Sequence, residues 1–468
     1  MVVLPLPSSK PLLTNGCDSV SQAANARVAF PHSDANQRVY NEGVERSDGR
    51  VVRGRRTVRV LMIIENCPYL RDPRVCREAR TLVGAGYKVA VIAPKGGSEV
   101  RGRETVDCVS VYRFSKLASS STVAGHILEY FFAMLSIGMM SIYVLIREGF
   151  DIIHVANPPD SLILIASAYK CLGKSVIYDQ HDVCPELYAV KFGDTDDFIA
   201  RILRALERLS YKLADSVIVT NESYKLLAMS RGGLPESSIT VVRNGPDLEN
   251  TINREIDFQL REKSPNIFTF GGIIEAQDGI EYLIRALHAL RYKLGRDDFV
   301  CVVMGAGHAL QGAMDLMRSL QLDGNVWFTG WITDRQVYMR YLATSDICIS
   351  PEPSNSYNDQ STFVKVMEYM AAGKPIVAFD LLETRFSAQE SALYARCNDE
   401  QEFALKIASL MDDPALRCAM GQTGQTLIRE KLAWQYSVPS LLKVYEHLAS
   451  RYSSFVVQTR ESDGSTAV

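Results

Sequence analysis

The sequence lacks the features that mark several common protein classes. Its 468 residues contain ten cysteines without a CxxC pair, so neither a disulfide framework nor a zinc site is indicated. Lysine and arginine number 51 against 54 aspartate and glutamate, a net charge of −3, which gives no overall argument for nucleic acid binding. The first 30 residues hold no apolar run of the length found in a secretory signal. We therefore expect a cytosolic protein with reduced thiols, several of them buried in apolar strand or helix patterns, as at Cys301 and Cys348.

The length predicts two domains, and the pattern along the chain indicates the α/β class. Residues 1–56 are rich in Ser, Asn, Pro, Gly and Arg, which predicts a disordered leader, and the tail 453–468 is polar. Apolar runs such as Val58–Glu65 and Lys88–Ala93 alternate with helical patterns, as in Rossmann-like units. The loop after the first of these runs has no GxGxxG, so NAD is not indicated.

The strongest site pattern is a strand–helix–strand unit between Ser345 and Asp380. Its helix is predicted from about Thr362 to Ala372, with Ser361 or Thr362 as the cap. The helix start would lie at the carboxyl end of a parallel strand, where open sheets bind anionic ligands. Lys365 and Glu368 share a face of this helix. A cation for phosphate and a carboxylate for ribose hydroxyl groups would suit a nucleotide.

A second polar cluster follows the strand in SVIYDQHDVCPELY. Asp179, His181, Asp182 and Glu186 come together at the carboxyl end of that strand, where sites form in such sheets. A single histidine is more often structural than catalytic. Two flanking carboxylates make a structural and a catalytic role for His181 equally open.

Two segments raise the question of a membrane. Ile127–Ile146 is a twenty-residue stretch with Glu129 as its only charge, long enough to span a bilayer. It lies between strands of one domain, so a buried or bilayer-facing helix is favoured over a span. Asp197–Ala214 predicts an amphipathic helix with a basic face. That face is either an ordinary solvated surface or a contact with an anionic membrane.

Eight segments, two of them within the stretches described above, occur in a characteristic order. They are RDPRVCREARTLVGAGYKVAVIAPKG, DIIHVANPPD, YDQHDVCPELY, ADSVIVTNES, VVRNGPD, FGGIIEAQDGIEYLIRAL, VMGAGHALQGAMDLMRSLQLDGNVWFTG and VMEYMAAGKPIVAFD. Over about residues 57–450 this series resembles family 4 glycosyltransferases, the retaining nucleotide-sugar transferases of the GT-B fold. NDQSTFVKVMEYM and LLETRFSA are similar to the bacterial branch that builds surface polysaccharides and O-antigens.

The resemblance implies a GT-B architecture, with two Rossmann-like domains facing each other across a cleft. Residues 57–245 would form the N-terminal acceptor domain and residues 246–437 the C-terminal nucleotide-sugar domain. A helix at 438–452 would pack back on the first domain.

The resemblance also implies a donor site on the second domain. Glu368 matches the second Glu of the family's Glu-x7-Glu motif, which binds ribose, whereas Gln360 stands at the first. The family's Arg and Lys clamp on the diphosphate would align with Ile273 and Asp278, neither of which is basic. Lys365 and the backbone N–H groups of Ser361, Thr362 and Phe363 would meet the phosphate charge instead. The remaining implied donor-binding residues are Gly271, Gly272, Gly305, Gly307 and Arg385.

On the opposite side of the cleft, His181 matches the histidine that contacts the donor sugar near its anomeric carbon. It would orient and polarise the sugar, with Lys365 and Glu368 completing the catalytic set. Asp72, Asp182 and Glu186 would lie on the acceptor side. No carboxylate matches a nucleophile and no DxD pair stands where a metal would be needed. We expect no metal, no cofactor, and departure and attack on one sugar face.

These observations predict transfer of a hexose or N-acetylhexosamine from a nucleotide diphosphate to a glycan acceptor, lipid-linked at the cytoplasmic membrane face. Peripheral contact with an anionic membrane is left open, and no nucleic acid partner is expected. Two alternatives remain: a nucleotide-sugar epimerase of the same architecture, and a non-catalytic sugar-nucleotide-binding partner. Gln360 and the absent basic clamp suggest the second.

Overall fold

The computed structural model describes residues 56–96, 101–116, 123–193, 196–248 and 255–453. These ranges form two sheets flanked by helices, which confirms the predicted α/β class and the pair of Rossmann-like units. The predicted leader, apart from Arg56, and the predicted tail, apart from Ser453, lie outside the described residues.

The first sheet has eight strands in the order β3-β4-β2-β1-β5-β6-β7-β8. Its strands are β1 (Arg59–Ile63), β2 (Lys88–Pro94), β3 (Arg103–Val106), β4 (Val109–Phe114), β5 (Ile152–Ala156), β6 (Ser175–Gln180), β7 (Ser216–Val219) and β8 (Ile239–Val241). Only β3 runs antiparallel to its neighbour. The central strands are apolar along almost their whole length because helices cover both faces of the sheet. His154, in the middle of β5, is a fully buried exception.

The second sheet has six parallel strands in the order β11-β10-β9-β12-β13-β14. They are β9 (Asn266–Gly271), β10 (Phe299–Met304), β11 (Val326–Gly330), β12 (Ile347–Ser350), β13 (Ile376–Phe379) and β14 (Ala392–Ala395). The direction of winding reverses between β9 and β12, so the loops after these two strands diverge and leave a crevice between them. The predicted strand–helix–strand unit therefore lies beside this crevice.

Helices connect nearly all consecutive strands. Those of the first half are α1 (Pro73–Gly84), α2 (Val123–Arg147), α3 (Leu162–Lys170), α4 (Cys184–Phe192), α5 (Phe198–Leu213) and α6 (Glu222–Gly232). Those of the second half are α7 (Phe258–Arg261), α8 (Ile280–Tyr292), α9 (Leu310–Ser319), α10 (Arg335–Thr344), α11 (Val364–Ala371), α12 (Leu382–Ala388), α13 (Glu400–Asp412), α14 (Pro414–Leu427) and α15 (Trp434–Ser453).

The last helix, α15, returns to the first sheet. Its buried residues, among them Leu441 and Tyr445, pack in the same core as β1, β2 and α1, and the indole N–H of Trp434 donates to the Thr81 hydroxyl at 3.0 Å. Where the chain crosses between the halves, a Cβ on Gly245 would lie 2.1 Å from the Leu432 carbonyl oxygen. Only glycine allows this close approach of the two crossing segments.

Hydrogen bonds join the two halves near the carboxyl end of β7 and the start of α11. The Asn221 side-chain amide donates to the Thr362 hydroxyl at 3.0 Å. The Ser223 hydroxyl donates to Glu383 Oε1 at 2.6 Å. The two Rossmann-like units thus face each other with the functional ends of both sheets towards one cleft.

Helix α2 covers the segment that was ambiguous in the sequence, and it is not a core helix. Among the described residues it is the one helix long and apolar enough to cross a membrane by length and composition, with a mean hydropathy of 1.7 over a window that is 22% buried. A stripe of large apolar side chains at helical spacing faces outward: Leu128, Phe131, Leu135, Met139, Ile142 and Ile146. This exposure rules out the buried alternative.

The nine described cysteines form no disulfide among themselves. Cys301 in β10 and Cys348 in β12 are buried, as predicted. The expectation of buried thiols does not hold everywhere, since four are exposed: Cys108, Cys171, Cys397 and Cys418. A cytosolic location stays a prediction.

Candidate active site

Helix α11 begins later in the chain than predicted. The helix starts at Val364 with Phe363 as N-cap and has no side-chain cap. Ser361 and Thr362 do not cap it, because their hydroxyl groups bond residues of neighbouring segments. The backbone N–H of Ser361 donates to the Asn358 carbonyl oxygen at 3.1 Å. That group is therefore not free for phosphate, contrary to the prediction, whereas those of Thr362 and Phe363 have no acceptor within the described protein.

Lys365, on the first turn of α11, is already paired inside the protein. Its Nζ lies 2.6 Å from Glu352 Oε1 and 3.2 Å from Asp278 Oδ1. Burial by itself would lower the pKa of Lys365, but the two carboxylates raise it. Because two carboxylates face this single cation, the net charge of the group is negative, which disfavours the predicted contact between Lys365 and phosphate. Asp278, at the position where the resemblance expected a lysine, is one of the two anions.

Glu368, one turn further along α11, is held by two side chains of α10. Its Oε1 is 2.8 Å from Arg335 Nη2, and its Oε2 accepts a hydrogen bond from the Tyr338 hydroxyl at 3.0 Å. The carboxylate retains 18% exposure, so a ligand hydroxyl can reach it. The sequence analysis did not single out Arg335 or Tyr338, because no motif marks the segment that holds them.

Gln360 and Arg385 are also engaged. The Gln360 side-chain amide donates to the Ser356 carbonyl oxygen at 2.9 Å. Arg385 is exposed, bonds Asp380 Oδ1 at 2.6 Å through Nε, and stacks its guanidinium 4.1 Å from the Tyr394 ring centre. The charge of Arg385 is therefore balanced at the surface of α12.

The four predicted donor-site glycines lie in two adjacent loops. Gly272 has a φ of +152°, and a Cβ there would lie 3.2 Å from Lys365 Nζ. A Cβ on Gly305 would lie 2.0 Å from the Gly272 carbonyl oxygen, and one on Gly307 would lie 2.2 Å from that of Ile274. A Cβ on Gly271 would meet the Tyr338 hydroxyl at 2.6 Å. Packing therefore favours glycine at Gly271, Gly305 and Gly307, and the backbone conformation favours it at Gly272, whereas contact with a donor stays a prediction.

Opposite α11, His181 follows β6 and is oriented by a buried carboxylate. Its Nε2 lies 2.6 Å from Asp179 Oδ2, and its backbone N–H donates to Asn157 Oδ1 at 2.7 Å. Arg74 donates two hydrogen bonds to the Asp179 carboxylate, one from Nε at 3.0 Å and one from Nη2 at 2.7 Å. Burial opposes ionisation of Asp179, but Arg74 holds its pKa well below the usual range. Burial would lower the pKa of His181, yet Asp179 raises it.

A second layer lies beneath this pair. His154 Nε2 is 3.4 Å from Asp179 Oδ2 and 3.7 Å from Glu78 Oε2, while its Nδ1 is 2.6 Å from the Tyr445 hydroxyl of α15. Burial and the Asp179 carboxylate raise the pKa of Glu78. Glu78, His154 and Asp179 are close enough to hold a cation. The Arg74 guanidinium, however, already binds both carboxylates and supplies the positive charge that a metal would bring.

Sequence reasoning missed this layer for a simple reason. Arg74 and Glu78 look like ordinary charges on the first turns of a surface helix, and His154 is isolated in an apolar strand. Only the register of β5 beside β6, which pairs His154 with Ile177 two residues before Asp179, brings them together. The one local signal was a histidine inside a run that should be wholly apolar.

The three residues predicted on the acceptor side have separate surroundings. Asp72 caps α1, accepting from the backbone N–H groups of Arg74 and Val75, both at 3.0 Å. Asp182 accepts from the Tyr357 hydroxyl across the cleft. Glu186 pairs with Arg231 in the wall of a cavity of about 240 Å³. Its lining residues are Pro185, Glu186, Ala189, Arg204, Glu207, Arg208, Arg231 and Ser356.

Two family models match the chain. The one described as Glycosyltransferase Family 4 matches residues 74–250, and the one described as Glycosyl transferases group 1 matches residues 264–413. The first range holds α1 and the His181 loop, and the second holds β9 to α13 with Lys365 and Glu368. The chain is a glycosyltransferase.

Solved structures place this glycosyltransferase in the GT-B fold. Sucrose-phosphate synthase from Thermosynechococcus elongatus is 16% identical with a TM-score of 0.69, over 84% of this chain and 100% of that one. Anabaena Alr3699/HepE in complex with UDP-glucose is 14% identical with a TM-score of 0.59, over 85% and 99%. WaaG, a glycosyltransferase involved in lipopolysaccharide biosynthesis, is 15% identical with a TM-score of 0.59, over 82% and 98%. A search of curated protein sequences gives no significant match.

In this glycosyltransferase two of the predicted site segments lie against each other. The Asp182–Tyr357 hydrogen bond connects the His181 loop to the segment before α11. Lys365 lies beside Gly272 on the second domain. Arg385 lies apart from both segments, since its partners are Asp380 and Tyr394.

Proposed function

We propose that this glycosyltransferase transfers a hexose or N-acetylhexosamine from a nucleotide-diphosphate sugar to a glycan acceptor, with retention of anomeric configuration. The observation that carries the proposal is the buried Arg74–Asp179 pair that orients His181. A buried ion pair is a poor source of stability compared with apolar packing. The role of this pair here is to hold the imidazole of His181 in one orientation at the edge of the cleft.

The chemistry needs few protein groups. The Asp179 carboxylate is hydrogen-bonded to Nε2 of His181. The other ring nitrogen, Nδ1, can therefore hydrogen-bond a sugar hydroxyl near the anomeric carbon. The bond from that carbon to the diphosphate breaks, the acceptor hydroxyl attacks from the same face, and the departing diphosphate takes the acceptor proton. Three carboxylates near His181 have protein partners, which supports a route without a covalent enzyme intermediate: Asp179 with Arg74, Asp182 with Tyr357 and Glu186 with Arg231.

The similar proteins support the substrate class. The Anabaena protein is in complex with UDP-glucose, and WaaG is a glycosyltransferase of lipopolysaccharide biosynthesis. We therefore extend the proposal to a uridine diphosphate sugar as the first donor to test, and to surface polysaccharide biosynthesis as the process. Glu368, which is partly exposed beside Arg335, would accept hydrogen bonds from the donor ribose.

Donor binding is tested by thermal stabilisation with a panel of nucleotide sugars. A ligand at 100 times its Kd adds about 2.7 kcal/mol to the free energy of unfolding. We expect one nucleotide sugar to stand out, and Glu368→Ala to reduce its shift. Glu281→Ala removes an exposed glutamate of α8 that pairs only with Arg285, so this control should retain the full shift. No shift with any nucleotide sugar would contradict the proposed donor class.

Product analysis then separates transfer from epimerisation. Incubation with the donor alone should leave the sugar configuration unchanged, since transfer requires an acceptor. Appearance of an epimer without acceptor would replace the transferase proposal by the epimerase alternative. Resemblance to enzyme family models over both domains already favours an enzyme over a non-catalytic partner.

The proposed acceptor is lipid-linked, and the enzyme meets it at the cytoplasmic face of the membrane. The support is the exposed apolar stripe of α2, since contiguous apolar surface of this kind marks a contact with lipid or protein. Helix α5, which contacts α3 beside α2, adds exposed Phe198 and Ile202 with the basic residues Arg201 and Arg208. Apolar side chains flanked by arginines suit an anionic bilayer surface.

Vesicle flotation tests this contact. Ile146 is 81% exposed on α2, and Ile146→Ser should weaken binding to anionic vesicles because its apolar side chain would no longer be buried in lipid. Arg208→Ala should weaken binding about fivefold, since each basic residue near such a surface contributes about 1 kcal/mol. Leu405, 53% exposed on α13, provides the control Leu405→Ser, which should bind normally. Equal loss in all three, or no vesicle binding by the wild type, would rule the contact out.

A further inference from the structure

Three basic side chains of the second domain, Lys365 on α11, Arg335 on α10 and Arg385 on α12, already have anionic partners. Lys365 is the basic residue at the start of α11, and Glu352 and Asp278 together outweigh it. Arg335 is committed to Glu368, and Arg385 to Asp380. The helix N-terminus contributes N–H groups, but a doubly charged leaving group calls for side-chain cations as well.

Arg77, on the first domain, is a cation without an anion. It lies on α1 one turn after Arg74, and its Nε and Nη2 are buried with no hydrogen-bond acceptor in the described protein. No carboxylate of that part of the chain lies within 4.0 Å of its guanidinium, which instead lies 5.4 Å from the Trp434 ring centre. Buried arginine donors are normally paired, so their lack of a partner suggests that a ligand provides one.

Charged groups of both domains act on Arg77. Burial lowers the pKa of Arg77, and the neighbouring positive charge of Arg74 lowers it further. The carboxylates of Glu368, Asp72 and Glu78 act in the opposite direction and raise the pKa of Arg77. The Arg77 guanidinium therefore lies within electrostatic reach of the carboxylate proposed to bind the donor ribose.

Arg243, in the loop after β8, is a second guanidinium with a donor that makes no hydrogen bond in the described protein, although it stacks 4.3 Å from the Phe386 ring centre and lies near a carboxylate. Its Nη1 is buried without a hydrogen bond, and the nearest carboxylate oxygen, Glu383 Oε2, is 3.6 Å away. That oxygen also accepts from the Thr362 hydroxyl at 3.4 Å. Because Arg243 and Thr362 share Glu383, Arg243 lies beside the free N–H groups at the start of α11.

We infer that the donor diphosphate binds between the two domains, with Arg77 and Arg243 of the first domain replacing the basic clamp that the second domain lacks. The inference rests on the proposed function. Guanidinium groups present paired N–H donors that match phosphate oxygens, and the N–H groups of Thr362 and Phe363 complete the site. Since the cations and the helix belong to different domains, bound diphosphate holds the cleft closed, and both arginines stabilise the charge that develops as it leaves.

The test compares a nucleoside diphosphate with its nucleoside. UDP, GDP, ADP, CDP and dTDP are titrated calorimetrically into the full-length protein, and the tightest is compared with the nucleoside that lacks phosphate. Arg77→Ala and Arg243→Ala should each weaken the diphosphate about tenfold or more, as expected for loss of a hydrogen bond between charged groups. The affinity for the nucleoside should stay within about twofold, because the arginines contact only phosphate.

Two further variants serve as a control for Arg77→Ala and as a test of the alternative phosphate clamp. Arg80→Ala removes an exposed arginine from the same helix, one turn beyond Arg77, that pairs with Asp107; it should bind both ligands normally. Tm is measured for both variants at the same time, since Arg77→Ala also removes the contact of the guanidinium with the Trp434 ring. Lys365→Met tests the competing clamp and should preserve the preference for diphosphate over nucleoside.

Each outcome is decisive. If the wild type binds a diphosphate and both arginine variants bind it equally well, this inference is overturned while the proposed function stands. If Lys365→Met alone abolishes the preference for diphosphate, Lys365 is the clamp and the inference is again overturned. If the wild type binds none of the five diphosphates, the proposed donor class is overturned, and this inference with it.

Discussion

Asp179→Ala is expected to lower the free energy of unfolding by about 3–5 kcal/mol, the usual cost of removing one partner from a buried ion pair. Asp179 is fully buried and accepts two hydrogen bonds from Arg74, which is nearly as deeply buried. Without this carboxylate, Arg74 keeps only Glu78 as an anionic partner, and the pKa of Glu78 is raised by burial. Denaturant unfolding measures the change directly.

Two controls separate charge from packing. Asp315→Ala breaks the exposed pair with Arg318 on α9 and should change stability by less than about 1 kcal/mol. The double variant Asp179→Asn with Arg74→Met, which removes both charges and keeps their volumes, should recover much of the loss. A destabilisation by Asp179→Ala no larger than that of Asp315→Ala would show that the pair is not shielded from solvent.

His181→Ala is expected to lower kcat by about 10²–10⁴-fold, the range for a positioned imidazole that shares in the transition state. Donor affinity should change little, because the nucleotide and its diphosphate are proposed to lie against other residues. Asp179 raises the pKa of His181 and so favours its imidazolium form, which can donate from both ring nitrogens. Activity that depends on this form should be full at low pH and fall as pH rises through that raised pKa.

Steady-state kinetics with the donor found in the binding screen provide the measurement. His447→Ala, at an exposed position of α15, is the matched control and should keep full activity. His181→Gln should recover only part of the rate, because its amide can donate a hydrogen bond but carries no positive charge. A His181→Ala variant with wild-type kcat would remove His181 from the reaction.

The sequence was sufficient for the elements whose determinants are local. Apolar runs bounded by turn residues gave the strand–helix–strand unit around β12, α11 and β13, because burial on both faces of a parallel sheet demands continuous apolar strands. The polar residues at the end of β6 were likewise identifiable as a site. The start of α11 was not, since Ser361 and Thr362 have good capping side chains but use them for contacts with neighbouring segments.

The sequence also could not tell which charges remain available. Lys365 was the obvious cation at the helix start, yet Glu352 and Asp278, from two other loops, neutralise it. Arg77 looked like one surface arginine among several on α1. Its burial depends on α15, whose Trp434 lies against it. Pairing between residues far apart in the chain follows from the packing of loops and helices, which local patterns do not encode.

By itself, then, the sequence determined the α/β class, the two Rossmann-like units and the loops that carry the candidate site, because these follow from periodicity and from the position of sites at the carboxyl ends of parallel strands. Only the tertiary structure decided which charged side chains in those loops remain available to a ligand. Asp179 is held in place to orient His181 because Arg74, 105 positions away in the chain, donates hydrogen bonds to its carboxylate. Lys365 is neutralised by carboxylates from other loops. The physical reason is that the field at a charge is set by its neighbours in space, which the fold alone assembles.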